Sequence, residues 1–250
     1  TYMQNGAGDG EGFDIDIGCS DIIFQYNYSH HNEGGGILMC NHSTWLVKYD
    51  ENGEYIRDAD GLPTRENIAP YWTDVTIRNN VFADNGGSVI VCGGYVNNFH
   101  FENNTVVIPG NSDLDKILTS HDLKNTGLPG EGWVLQNNIF ISRGGHMATF
   151  DTSFSQGCTF DSNVFWNFPD TFEESVKNEH GEDMRNFILA DPGISLDTLA
   201  ENGLVSMNAF KPSGTEMLKG ALSLEKMSLY DAEGVDATGK QYFGAYSTGK

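Results

Sequence analysis

Two aspartates set one residue apart are the strongest chemical signal in this sequence. They lie in Asp9-Gly10-Glu11-Gly12-Phe13-Asp14-Ile15-Asp16-Ile17-Gly18-Cys19. Phe13, Ile15 and Ile17 alternate with Asp14 and Asp16, and in a strand alternate residues share a face. The apolar three therefore point into a core, and both carboxylates point out side by side. Their β-carbons are then roughly 7 Å apart. Rotamer choice can bring the oxygens to about 5–5.5 Å, which suits a retaining glycosidase, or splay them to about 6.5–9.5 Å, which suits an inverting one. Mutual repulsion raises the pKa of one carboxyl and leaves an acid beside an ionised partner. Asp9 and Glu11, in the preceding bend, are alternative suppliers of one of the two roles. The catalytic candidates are thus Asp9, Asp14 and Asp16. Two plainer readings compete: a solvated Asp-x-Asp on an open sheet face, and a calcium site built from Asp14, Asp16, Asn32 and Glu33 oxygens.

Downstream runs Tyr26-Asn27-Tyr28-Ser29-His30-His31-Asn32-Glu33-Gly34-Gly35-Gly36. If this bend ends above the aspartates, His30, His31, Asn32 and Glu33 line the same groove, and His42 joins them from the adjacent rung. The histidines can bond substrate or shuttle protons; turn histidines satisfied by backbone are the plainer alternative. A long insertion, Thr44 to Thr73, carries Trp45, Tyr49, Tyr55, Tyr71 and Trp72. Such rings can stack on sugar faces or pin down the loop. The substrate-binding candidates are Glu11, His30, His31, Asn32, Glu33, His42, Trp45, Tyr71 and Trp72.

The elements that hold these residues show themselves as a repeat. Five segments share an alternating β run that leads to Asn and then an apolar or aromatic pair. They centre on Asn27, Asn80, Asn104, Asn138 and Asn163. Asn80 to Asn104 is 24 residues and Asn138 to Asn163 is 25, while Asn104 to Asn138 is 34 and Asn27 to Asn80 is 53. The reading is a coil of about two dozen residues stacked rung on rung, with insertions in the longer intervals. The asparagines form an inward ladder at one bend. A second strand precedes each Asn segment after a glycine bend, as in Gly36-Ile37-Leu38-Met39-Cys40 and Gly87-Ser88-Val89-Ile90-Val91-Cys92. This alignment makes Asp16, Cys40 and Cys92 equivalent and places Cys40 near disulfide distance of Cys92, although free thiols are the expected state. An antiparallel sandwich with Asn at its turns is the alternative.

The expected fold is all-β: a right-handed parallel β-helix, or solenoid, with a C-terminal cap containing short helices. Residues 1–166 form the coils, with the inserted loop at 44–73, and 167–250 form the cap of the same domain. Thr171 to Phe187 and Ser195 to Leu204 read as helical. The chain enters a rung almost at its first residue, so upstream coils are expected, on the same protein or on a separate subunit.

Composition narrows the partners. Lys plus Arg number 14 against 35 acidic residues, for a formal charge of −21. Nucleic acid and anionic membranes need cationic patches and are excluded as expected partners. A neutral carbohydrate fits better than a polyanion. No stretch approaches the roughly 20 apolar residues of a transmembrane helix. The four cysteines lack paired spacing, so a zinc site is not expected, and no residue is expected to ligate a metal as part of the site. No cofactor is expected to be required; calcium is the one structural ion considered.

The run Gly10-Glu11-Gly12-Phe13-Asp14-Ile15-Asp16, followed by Gln25-Tyr26-Asn27-Tyr28-Ser29-His30-His31-Asn32-Glu33-Gly34-Gly35, resembles the bacterial right-handed parallel β-helix repeat proteins, many of them secreted glycan-active enzymes. The resemblance covers residues 8 to 165, and Asp191-Pro192 and Gly244-Ala245-Tyr246 look like that group's closing segment. Within the group, β-helix glycoside hydrolases of the lacto-N-biosidase type fit best. The resemblance implies two aspartates close in sequence, a neutral host glycan and an extracellular or cell-surface location. Both Asp9/Asp16 and Asp14/Asp16 match the close-aspartate pattern. A polysaccharide lyase and a non-catalytic glycan-binding adhesin are the competing functions; the shortage of basic residues counts against the lyase.

Overall fold

The computed structural model describes residues 10–16, 19–41, 45–67, 73–94, 96–110, 114–121, 130–151, 158–180, 184–195, 206–213, 220–224 and 228–247. The chain is mostly β and forms three parallel sheets. Strands are numbered in chain order. The first sheet stacks β1 (Asp14–Ile15), β4 (Ile37–Asn41), β9 (Ile90–Gly94), β12 (Lys116–His121) and β15 (Thr149–Phe150). The second stacks β2 (Ile22–Gln25), β7 (Thr73–Arg78), β10 (Asn97–Glu102), β13 (Trp133–Gln136), β16 (Cys158–Asp161) and β18 (Met184–Arg185). The third stacks β3 (Tyr28–His30), β8 (Val81–Ala83), β11 (Thr105–Ile108), β14 (Ile139–Ser142), β17 (Val164–Trp166) and β19 (Ile188–Leu189). The chain visits the sheets in this order and then returns to the first.

Each bend from the second sheet to the third spends one residue in the left-handed region. The occupants are Tyr26, Asn79, Asn103, Asn137, Ser162 and Asn186, at φ 45 to 64. Asparagine tolerates that conformation better than most residues, because its short amide bonds locally. The residue after each of the first five is the repeated asparagine. The Oδ1 of Asn104 accepts from the backbone N and the Nδ2 of Asn80, both at 3.0 Å. Its own Nδ2 donates to Ile77 O at 2.9 Å and to Asn138 Oδ1 at 3.2 Å. The same pattern joins Asn27 to Asn80 and Asn138 to Asn163. The bend therefore leaves none of these buried amides idle. Phe187 takes the next place and stacks on Phe165 at 4.3 Å, which ends the ladder with an apolar plug.

In the core, Phe82, Phe101, Phe140 and Phe165 follow one another at ring distances of 6.0, 6.4 and 5.2 Å. At the bend from the third sheet to the first, glycines let the rungs touch. Gly34 N donates to Gly10 O at 2.9 Å, and a Cβ on Gly34 would lie 2.7 Å from Gly10 C.

Several expectations need correction. The helix α1 (Phe172–His180) stops well short of Phe187. Beyond it, Met184–Arg185 and Ile188–Leu189 pair in parallel with β16 and β17, so the rungs outlast residue 166. The α1 helix takes the place of a first-sheet strand in that last rung. Its buried Phe172, Val176 and His180 close the core against Phe150, Phe160 and Phe165. Most of Ser195–Leu204 lies outside the described residues. Ile194, Phe210, Ala221, Phe243, Ala245 and Tyr246 cover the outer face of the third sheet, against Val81, Ala83, Val107, Ile139, Ile141 and Val164. Third-sheet strands such as Thr105-Val106-Val107-Ile108 are buried throughout, as expected of a parallel sheet covered on both sides. The cysteine alignment slips by one residue: Met39 partners Cys92, and Cys40 partners Gly93. Cys19 and Cys92 are free thiols, and burial pushes the Cys92 thiol up.

The ladder makes a quantitative demand. Asn104→Ala or Asn138→Ala strands buried backbone and amide partners and should each cost roughly 1–3 kcal/mol. Denaturant unfolding followed by circular dichroism measures the loss. An unchanged midpoint in both variants would show that the ladder carries no stability.

Candidate functional site

Asp14, in β1, and Asp16 are both exposed, and Ile15 between them is buried at 7%. Phe13 packs inward, edge-on to Phe24 at 4.9 Å. Both carboxylates thus leave the outer face of the first sheet, where Asp14 stands beside Leu38 in register. Glu11 approaches the same face: a Cβ on Gly35 would meet Glu11 Cγ at 3.4 Å and Val91 Cγ2 at 3.2 Å. Val91 lies between the core residues Ile90 and Cys92, so it points away from them, to the outer face. Glu11 is half-buried, and its Oε2 is a buried oxygen without a hydrogen bond. Asp9, His42, Tyr71 and Trp72 lie outside the described residues, as does the side chain of Trp45.

Asn32 does not line a groove. It is 1% exposed and points inward, where its Nδ2 donates to Ser29 Oγ at 3.0 Å and to Asn85 Oδ1 at 2.8 Å. It forms a second, short amide ladder at the next bend, because the chain there needs the same backbone satisfaction as at the first. Its oxygen is therefore committed to the interior, which removes it from the calcium set considered above. Glu33 is exposed at that bend.

The histidines leave the aspartates' face. Ser29 is buried and donates to Gly36 O, so its neighbours Tyr28 and His30 point away from the core. Tyr28 packs on the tail residue Phe210 at 5.5 Å and on His30 at 4.3 Å. The expected single groove is thus divided between the outer faces of two sheets. Burial and the neighbouring His31 hold His30 below the ordinary imidazole range. Burial, reinforced by Asp84 and opposed by Arg143, pushes the Tyr28 hydroxyl up to about 12.

Two charged features escaped the sequence reading. Asp84 follows β8 as His31 follows β3, with a left-handed φ of 54. Arg143 Nη2 donates to its Oδ2 at 2.6 Å, with side-chain exposures of 18% and 7%. Burial raises the Asp84 pKa, while Arg143 and His31 pull it back. The other feature lies on the outer face of the second sheet. His100 Nδ1 is 2.8 Å from Glu102 Oε1, and its Nε2 is 3.1 Å from Asn98 Oδ1. Gln136 Nε2 donates to the same Glu102 oxygen at 3.3 Å, and Arg78 Nε donates to Gln25 at 2.9 Å. The alternation Phe99-His100-Phe101-Glu102 was the signal for this row.

The insertion forms a hairpin of β5 (Trp45–Val47) and β6 (Arg65–Asn67), extended by bridges Tyr49–Tyr55 and Arg57–Pro63. Asp50 and Asp58 each cap a turn, with Oδ1 accepting two backbone N–H groups at 2.9 Å. Tyr49 and Tyr55 are exposed, with rings 5.1 Å apart, and Arg57 lies over Tyr55.

No family model matches the chain, and no curated protein matches it.

Removing one member of the Asp84–Arg143 pair should be costly. Arg143→Met leaves a buried carboxylate and should destabilise by roughly 3–5 kcal/mol at pH 7. Asp84 already has a raised pKa, and loss of the arginine raises it further. Protonation below that pKa relieves the penalty, so the gap to the parent protein should narrow as pH falls from 7 towards 4. Thermal melts of both proteins across that range test this; a gap that widens on acidification contradicts it.

Proposed function

We propose that the chain is a right-handed parallel β-helix, and that it acts as an extracellular or cell-surface glycoside hydrolase on neutral oligosaccharides or host glycans. The observation that supports this reading best is the pair Asp14 and Asp16, exposed on one sheet face to either side of buried Ile15. One carboxyl protonates the leaving glycosidic oxygen. The other, ionised, attacks the anomeric carbon or activates water against it. Glu11 stands on the same face as a third carboxyl and a substrate hydrogen-bonder. The excess of acidic residues favours an uncharged sugar over a uronate. Neither nucleic acid nor membrane is a partner in this reading.

A non-catalytic glycan-binding reading rests on a different observation, the exposed Tyr49 and Tyr55 rings on the hairpin. Aromatic faces hold sugars by stacking and need no carboxylate.

Substitution separates the two. Asp14→Asn and Asp16→Asn should each lower turnover by roughly 10²–10⁴-fold, with glycan binding retained by calorimetry. Undiminished turnover in both variants would remove the aspartate pair as the catalytic machinery. Retained binding without turnover in the parent protein, lost in Tyr49→Ala with Tyr55→Ala, would favour the binding reading.

A further inference from the structure

Consecutive residues in a strand normally point to opposite sides. His30 and His31 do not. His31 falls at the end of β3 with φ 52, which turns its ring back against its neighbour. The rings meet edge to face, with centroids 5.3 Å apart and planes at 82°. Their Nδ1 atoms face each other at 3.1 Å.

Two imidazole nitrogens so close need something between them. A neutral imidazole has one donor nitrogen and one acceptor, and two lone pairs facing each other repel. A proton on one nitrogen resolves the conflict; so does a cation that accepts both lone pairs. Two nitrogen ligands of a tetrahedral zinc, each at about 2.0–2.1 Å, lie roughly 3.3 Å apart. The observed separation is within a few tenths of an ångström of that edge. The pair is also pre-positioned. The Tyr28 ring supports His30 at 4.3 Å, and Phe210 supports Tyr28 in turn. Both histidines are only half-buried, so an ion can reach them.

We propose that His30 and His31 chelate one divalent transition-metal ion of the zinc class through their Nδ1 atoms. Among the described residues no set of three His, Cys, Asp or Glu side chains surrounds a common point. Asp84 is held by Arg143. The two imidazoles therefore leave the remaining coordination positions to water or to an oxygen of a bound molecule. Nitrogen ligands favour zinc, copper or nickel over calcium or magnesium. This site lies on a different sheet face from Asp14 and Asp16 and does not depend on the hydrolase reading.

The test is zinc titration of the full chain by calorimetry after removal of metal with a chelator. One ion should bind per chain. His30→Gln and His31→Gln should each abolish uptake, while His100→Gln should leave it unchanged. A second measurement uses only the parent protein: zinc should protect His30 and His31, but not His100, from diethyl pyrocarbonate, as read by peptide mass spectrometry. No zinc uptake by the folded parent protein overturns the proposal and leaves a shared proton between the rings. Uptake that survives in both variants, or protection confined to other histidines, also overturns it.

Discussion

The buried amide at the bend between the second and third sheets is the constraint on which the structure depends. A chain that passes from one parallel sheet to the next must turn sharply while keeping its backbone groups inside. Water cannot reach those groups, so the chain must supply their partners. Asparagine does this with one side chain that both donates and accepts. Asn80, Asn104 and Asn138 each bond backbone in one rung and an amide in the next. The bond runs from rung to rung, so it fixes register as well as turn shape. A slip by one residue would put Phe101 where His100 stands, and the aromatic column would face outward.

That register has consequences on the outside of the coil. On the third sheet, both alternate sets are apolar, so a cover is obligatory. The tail supplies it and is tied back along the ladder's own bend. Asn79 Nδ2 donates to Tyr242 Oη at 2.7 Å, Gly244 N donates to Asn137 O at 2.8 Å, and Asn137 Nδ2 donates to Leu222 O at 2.8 Å. Buried Asp231 gathers the end of the tail by accepting from Ser247 N at 2.8 Å and from its hydroxyl. The first and second sheets carry polar residues outward instead: Asp14, Asp16 and Glu11 on one, and His100, Glu102 and Gln136 on the other.

Much of this was legible in the sequence. The five asparagines, the insertion that lengthens one interval, the stacked parallel strands and the outward aspartates all follow from period-two alternation and a repeated turn residue. The failures have a common cause. Alternation says whether a side chain points in or out, but not which of three outer faces it reaches. His30 was therefore grouped with Asp14, though one left-handed residue at the bend sends it to the outer face of the third sheet. The Cys40–Cys92 slip came from aligning on like residues rather than on Ile37 and Ile90, the inward positions that pair. Met184-Arg185-Asn186 was absorbed into a helix because Phe187 replaces the ladder asparagine. The doubly apolar runs Thr105-Val106-Val107-Ile108 and Ile139-Phe140-Ile141 carry the signal of a covered sheet, but the sequence reading took the tail only as a terminal cap. Arg143 and Asp84 meet across rungs 59 residues apart, a pairing that no local pattern announces.

The hydrolase reading turns on whether the protein breaks a glycosidic bond by adding water. The most direct measurement is sugar release from a panel of neutral oligosaccharides and uronate polymers, with and without chelator, read by chromatography and ultraviolet absorbance together. Paired carboxylates predict release of reducing sugar from a neutral substrate, with no new absorbing double bond and no loss of rate in chelator. An absorbing unsaturated product from a uronate polymer would contradict that chemistry and make the protein a lyase.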